Sequence, residues 1–308
     1  MIGVWALFAG LTSTALATDI GVRELPCPFG EGSVQVYSKL SSNRLGGWDS
    51  DLANYAVGGQ WRTFAISTCA SSLYSFPTEA GPGKNLQEAS SRQKIETLLR
   101  QAKAEFGENP PIWHRYTIAI RILSLDTHPE PSRLAKLALN AAWTARDQAV
   151  DVYKGLKGPE MAWTLMQGGD TELKKTEMDA PTRKVLLHNL ARIAHRGGFI
   201  QARDRYLSAF EAQSPLSEPE SQMLSRFRNI VLQVEPALLA KAAVYLDAQI
   251  AASGDSQSKS WARYIRGDIA RRAGETEKAK THFRAVLDSD KTDSQIRQLA
   301  GWFLENGL

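Results

Sequence analysis

Between Ser260 and Leu287 four residues stand at spacings that allow few folds: Gly267, Gly274, Ala279 and Phe283. Two helices joined by a short turn can approach closely only where the facing side chains are small. Gly267 and Ala279 meet that need, Gly274 suits the left-handed turn that ends the first helix, and Phe283 fills the space beside the contact. Leu186 to Phe210 carries a similar series, Gly197, Ala202, Tyr206 and Ala209, with Leu190 where the first small residue belongs. Ala202 and Ala279 lie 77 residues apart, room for about two longer-than-usual helix pairs. The intervening pair is expected at Glu220–Val234 and Pro236–Ser253, with Ala242 and Leu246 in the equivalent places.

These offsets are those of a tetratricopeptide-like (TPR-like) unit of about 34 residues. They predict a mainly α chain in which residues 181–308 form a TPR-like helical solenoid, with a generic α-bundle as the alternative. Residues 79–180 read as a further helical segment. Leu86–Phe106 is closed by Gly107 and Pro110-Pro111, Ile112–Leu125 follows, and Pro131 opens a long helix bearing Leu134, Leu137, Ala141, Ala142 and Ala145. From Gly155 to Asp179 the expectation is a short helix at Met161–Met166 followed by an exposed polar loop.

The first quarter differs in character. Residues 18–78 alternate polar and apolar at Ser33–Tyr37 and Trp61–Ile66 between glycine-rich turns, as a small β-rich module would, and Ser75–Lys84 reads as a linker. Ahead of it, the apolar run Ile2–Leu11 and the small residues Ala15 and Ala17 suggest a signal peptide over residues 1–17, although no Lys or Arg precedes the run. A buried first element of a cytosolic protein is the competing reading. No later stretch of about 18 residues lacks charge, so no transmembrane segment is expected in the mature chain. Export to the periplasm or beyond fits the two cysteines, Cys27 and Cys69, which an oxidising compartment would join; two separate buried thiols are the alternative.

The stretches Cys27-Pro28-Phe29-Gly30, Asp49-Ser50-Asp51-Leu52 with Tyr55, and Thr68-Cys69-Ala70-Ser71-Ser72-Leu73-Tyr74 resemble an uncharacterised bacterial family. In that family a four-cysteine, zinc-ribbon-like N-terminal module precedes TPR-like helices. Ile112–Leu125 and Ala138–Asp147 also look like that family's helices. The resemblance implies a ribbon-like module, but Gly30 and Ser72 stand where the second member of each cysteine pair belongs. A structural zinc ion needs four ligands, and none of His114, His128, His188, His195 and His282 lies within the module. No metal and no cofactor are therefore expected.

Catalytic motifs are sparse. His188 and His195 share a helix face without a carboxylate at ligand spacing, and Asp49 and Asp51 flanking a glycine-rich turn read as Asx-turn residues, with a cation such as Ca2+ or a substrate hydroxyl as the alternative partner. Residues 181–308 carry 19 basic against 14 acidic side chains and the remainder 18 against 19, a surplus too diffuse to favour nucleic acid as partner. The pattern as a whole points to an interaction scaffold that binds a protein or peptide through its helices. An envelope enzyme or its accessory subunit is the alternative, and a metal or redox module at the cysteines a third.

Overall fold

The computed structural model describes residues 18–83, 88–149, 155–175 and 177–306, so the expected signal peptide, residues 1–17, lies outside the described residues. The alternation at Ser33–Tyr37 turns Val34 and Val36 into a core. Their strand β2 (Ser33–Ser41) pairs antiparallel with β1 (Asp19–Pro26). Strands β4 (Ile66–Thr68) and β5 (Ser75–Pro77) form a second antiparallel pair, so the start of the expected linker is strand. The expected strand Trp61–Ile66 is instead a single helical turn, α1 (Trp61–Phe64), followed by β4. The turn swings Arg62 inward, where its guanidinium grips Asp147 through Nε and Nη2 at 2.6 and 2.7 Å. Alternation misleads here because the inward residue is charged.

Cys27 and Cys69 are joined in a disulfide. The positions that break the four-cysteine pattern also adjoin: a Cβ on Gly30 would lie 3.4 Å from the Cβ of Ser72. The module shares its core with the helices that follow, since Phe29, Val34, Val36, Leu73 and Phe76 pack with Ile95 and Leu99 of α2 (Ala89–Phe106) and Ile118 and Ile122 of α3 (Ile112–Leu123). Two-residue strands β3 (Gly47–Trp48) and β6 (Leu156–Lys157), paired in parallel, add a second tie.

The rest is helical, and the chain is mainly α. Helix α4 (Pro131–Ala149) packs against α3 and against α9 (Glu235–Ala252); α5 (Gly158–Leu173), α6 (Ala180–Gly197) and α7 (Ile200–Glu211) stack in sequence. Helix α5 is longer than the short helix expected at Met161–Met166, and runs through Gly168-Gly169. A Cβ at Gly169 would meet Leu190 Cδ2 at 2.4 Å, so the glycine is there for close helix contact and not for a loop.

The expected middle hairpin is absent. Glu218–Ala252 is one continuous helix of 35 residues: α8 (Glu218–Asn229), a π-helical turn (Ile230–Val234) and α9 (Glu235–Ala252). Proline usually breaks a helix because it lacks an N–H and crowds the preceding turn. Here the backbone widens into the π turn before Pro236, the N–H of Glu235 bonds the carbonyl of Ile230, and the chain runs on. By length and composition this helix could cross a membrane. Leu239, Ala242 and Leu246 on one of its faces are core residues.

Helices α10 (Gln257–Arg272), α11 (Thr276–Leu287) and α12 (Ser294–Asn306) complete the chain. Both sequence-derived hairpins, α6–α7 and α10–α11, are present, with a one-residue correction to the first. Gly198, not Gly197, takes the left-handed turn, at φ 80°, matching Gly274 at φ 77° 76 residues later. At both, the next residue's N–H bonds the carbonyl five positions back, Phe199 to Ala194 and Glu275 to Ala270, each at 2.8 Å. In this register Ala191 is the equivalent of Gly267, which removes the misfit at Leu190, and buried Arg203 replaces half-buried Ala202 as the counterpart of Ala279.

Candidate functional site

Three helix ends and one loop converge at the centre of the molecule. The loop Asp49-Ser50-Asp51 is fully buried. Arg146 near the end of α4 reaches Asp49 Oδ2 at 2.7 Å, Asp51, and Glu235 Oε1 at 2.6 Å. Arg196 Nε donates to Asp49 Oδ1 at 2.6 Å, Tyr55 Oη to Asp49 Oδ2 at 2.7 Å and Trp143 Nε1 to Asp51 Oδ2 at 2.9 Å. From α10, Arg272 donates to Ser50 Oγ at 2.7 Å and Asp268 at 2.7 Å, and Arg271 donates to Asp268 at 2.6 Å and to the carbonyl of Gly198 at 2.7 Å.

Four carboxylates (Asp49, Asp51, Glu235, Asp268) thus face four guanidiniums (Arg146, Arg196, Arg271, Arg272). Burial works to raise the carboxyl pKa values, but Arg146 holds Asp51 and Glu235 well below the usual range, and Arg272 and Arg271 lower Asp268. Asp51 does form an Asx turn, accepting the N–H of Ala53 at 3.2 Å, as the sequence suggests. Its larger part is in the ion network, which the Asx-turn reading misses.

His195 closes the network on one side. Its Nε2–H donates to Glu235 Oε2 at 2.8 Å, leaving Nδ1 to face Arg203 Nη1 at 3.4 Å. Burial lowers the His195 pKa, so the ring is neutral at pH 7. His188 lies elsewhere on α6, with its ring near Phe210 and Phe227; the two histidines do not form a ligand pair. Among the described residues no three of His, Cys, Asp or Glu cluster as a metal site would require.

Above His195 and Glu235 opens a groove of about 480 Å³, bounded by α7, the π turn, α9, α10 and α11. One side of it is the outer face of α9 and the π turn: Leu232, Pro236, Ala240 and Val244 follow at intervals of four, with Leu232 47% and Val244 65% exposed. Helix α9 is therefore apolar on both sides, one in the core and one in the groove. The walls carry Arg203, Arg266, Asp247, Glu275 and Lys278. Pro236 has no N–H to offer the carbonyl of Val231 five residues back, and Arg203 Nη1 approaches that carbonyl at 3.4 Å.

Of the residues singled out from sequence, His195 lines this groove, whereas the repeat-packing residues do not. Gly197 packs against Ala162 of α5, a Cβ there falling 2.5 Å from Ala162 Cβ. Tyr206 is buried and donates to Asp170 at 2.9 Å; burial and that carboxylate push its hydroxyl pKa up to about 12. The space beside Gly267 is taken by Phe283, 2.7 Å from a Cβ there, and the Phe283 ring stacks on Phe303 at 5.6 Å. Ala279 is fully buried, and Gly274 makes the turn between α10 and α11. Sequence reasoning misses Arg203, Glu235, Val244 and Arg266. Pro236 within an apolar stretch is the one local signal of the groove. Comparison of the chain with protein-family models, with curated proteins and with solved structures finds no match.

Proposed function

We propose that this chain is an exported, non-enzymatic binding protein that holds a segment of a protein partner in the groove over α9. One observation carries the reading: the outer face of α9 is an exposed apolar row that lines a groove, and a helix apolar on both its core and its outer face belongs in a buried setting. The repeated hairpins α6–α7 and α10–α11 support a TPR-like arrangement in which the continuous helix Glu218–Ala252 stands in place of a middle pair. The Cys27–Cys69 disulfide supports an oxidising, extracytoplasmic location. The adjoining Gly30 and Ser72 support a ribbon-like origin for the module, with the disulfide where a metal would have been.

An envelope enzyme is the weaker reading. The carboxylates at the centre are locked as anions by guanidiniums, and the described residues lining the groove include no Ser, Thr, Cys or Tyr as a nucleophile. The test is a photoreactive residue placed at Val244, with the exposed Val185 of α6 as control. The adduct is identified and the cross-linked segment is titrated onto the purified chain. A segment captured from Val244 but not Val185, whose binding is abolished by Val244→Trp, supports the reading; equal capture at both sites contradicts it.

A further inference from the structure

We propose that the groove selects an acidic amphipathic helix, whose apolar face lies on the α9 ridge while its carboxylates reach Arg203 and Arg266. The inference rests on the groove being the binding surface and adds the chemistry of what it binds. Two independent features carry it.

The first is the ridge. Leu232, Pro236, Ala240 and Val244 form an i, i+4 row about 18 Å long, the surface into which the side-chain rows of a second helix interdigitate. Alanine and proline keep the middle of the row low, so another helix can come close.

The second is a pair of arginines in the groove wall whose guanidiniums the fold uses only in part. The side chains of Arg203 and Arg266 are only 5% and 4% exposed, yet both line the groove. Arg266 makes one hydrogen bond, from Nε to Asp247 at 2.9 Å, so among the described residues both its Nη groups have no partner. Arg203 uses Nε on Asp204 at 2.8 Å and Nη1 at 3.4 Å on His195 and Val231, and Nη2 is left over. A guanidinium fork presents paired N–H groups that match a carboxylate, and such a bond is strongest where water is excluded. Asp204, Asp247 and Glu275 pair with Arg203, Arg266 and Lys278, so what the two arginines hold in reserve is hydrogen-bonding capacity and not unpaired charge.

Three fluorescein-labelled 16-residue peptides test this on the purified, disulfide-bonded chain. Each has leucine at every third or fourth position and alanine elsewhere, with glutamate, glutamine or lysine on the flanks of the leucine stripe. Fluorescence anisotropy should show the glutamate peptide binding at least tenfold more tightly than the glutamine peptide, with the lysine peptide weakest. Arg266→Gln and Arg203→Gln should each weaken the glutamate peptide about three- to tenfold and leave the glutamine peptide unchanged, whereas Arg44→Gln, in the N-terminal module, should change neither. Arg266→Gln decides the matter if Arg203→Gln fails to fold. If the glutamine and glutamate peptides bind equally and both are lost in Val244→Trp, the groove binds segments but the acidic preference is wrong. If no peptide binds, or Val244→Trp has no effect, both readings fail.

Discussion

Replacing Arg146 by methionine isolates the interaction that joins the N-terminal loop to the helices. Methionine keeps most of the buried bulk and removes the charge. Asp49 retains Arg196, and Glu235 retains His195, but Asp51 is left with only Trp143 as a direct side-chain partner. Breaking a buried ion pair by deleting one partner costs about 3–5 kcal/mol. Asp51 has an alternative to remaining charged: it can take up a proton, which at pH 7 costs about 4 kcal/mol for a carboxyl of ordinary pKa, and at pH 5 about 1.4 kcal/mol. That alternative limits the penalty. Arg146→Met should therefore destabilise the chain by about 4 kcal/mol at pH 7 and by about 1–2 kcal/mol at pH 5, relative to wild type at the same pH. Urea unfolding with the disulfide intact measures both, urea being uncharged and so not screening the network. Arg121→Met, which breaks the more exposed pair with Glu105, should cost no more than about 1 kcal/mol at either pH. A loss below about 1 kcal/mol at pH 7, or one that does not shrink on acidification, would refute the reasoning.

The wild-type chain should lose stability in two stages on acidification. Burial lowers the pKa values of His195, His114 and His282 in the fold, so the unfolded chain gains protons first and stability falls as pH drops below about 6.5. Asp51, Glu235 and Asp268 are depressed, so their contribution is present above about pH 4 and is lost below it; His195→Gln should flatten the first stage in a pH series of urea midpoints. Replacing both Cys27 and Cys69 by serine should cost about 4 kcal/mol from the loop their 42-residue separation closes, read by thermal unfolding against the disulfide-bonded wild type, with the reduced wild type close to the variant. At the second hairpin, Phe283→Ala should cost about 3–5 kcal/mol and Gly267→Ala, which drives a methyl into the Phe283 ring, about 1–3 kcal/mol. Lys280→Ala should stay within about 0.5 kcal/mol in the same assay.

The α10–α11 hairpin was legible because its determinants are local. A left-handed glycine, a small residue on each helix and one aromatic lie within 17 residues, from Gly267 to Phe283. The α6–α7 hairpin was legible only to within a residue, because Gly197 and Gly198 both fit a helix end and only one has the left-handed backbone. The continuous helix is hidden in the sequence at Pro236, where the rule that proline ends a helix yields to a π turn and an arginine from α7. The central ion network was not legible at all. Asp49 meets Arg146 from 97 residues away and Arg196 from 147, and an arginine in the last turn of a helix already has a local explanation in the helix dipole. The groove was hidden for a related reason: an apolar ridge on α9 has the same residues as a core face, and only the packing of α7, α10 and α11 around it leaves it open.

The claim that the groove over α9 is the binding surface is tested most directly by hydrogen–deuterium exchange on the purified chain. Exchange would be followed with and without a saturating concentration of the segment cross-linked at Val244. The account predicts slowed exchange in the π turn and α9 from Leu232 to Asp247, in α7 and in α10, with the β1–β2 hairpin unchanged. Slowed exchange at β1–β2, or in the cleft between β5 and the end of α3, with α9 unaffected, would contradict it.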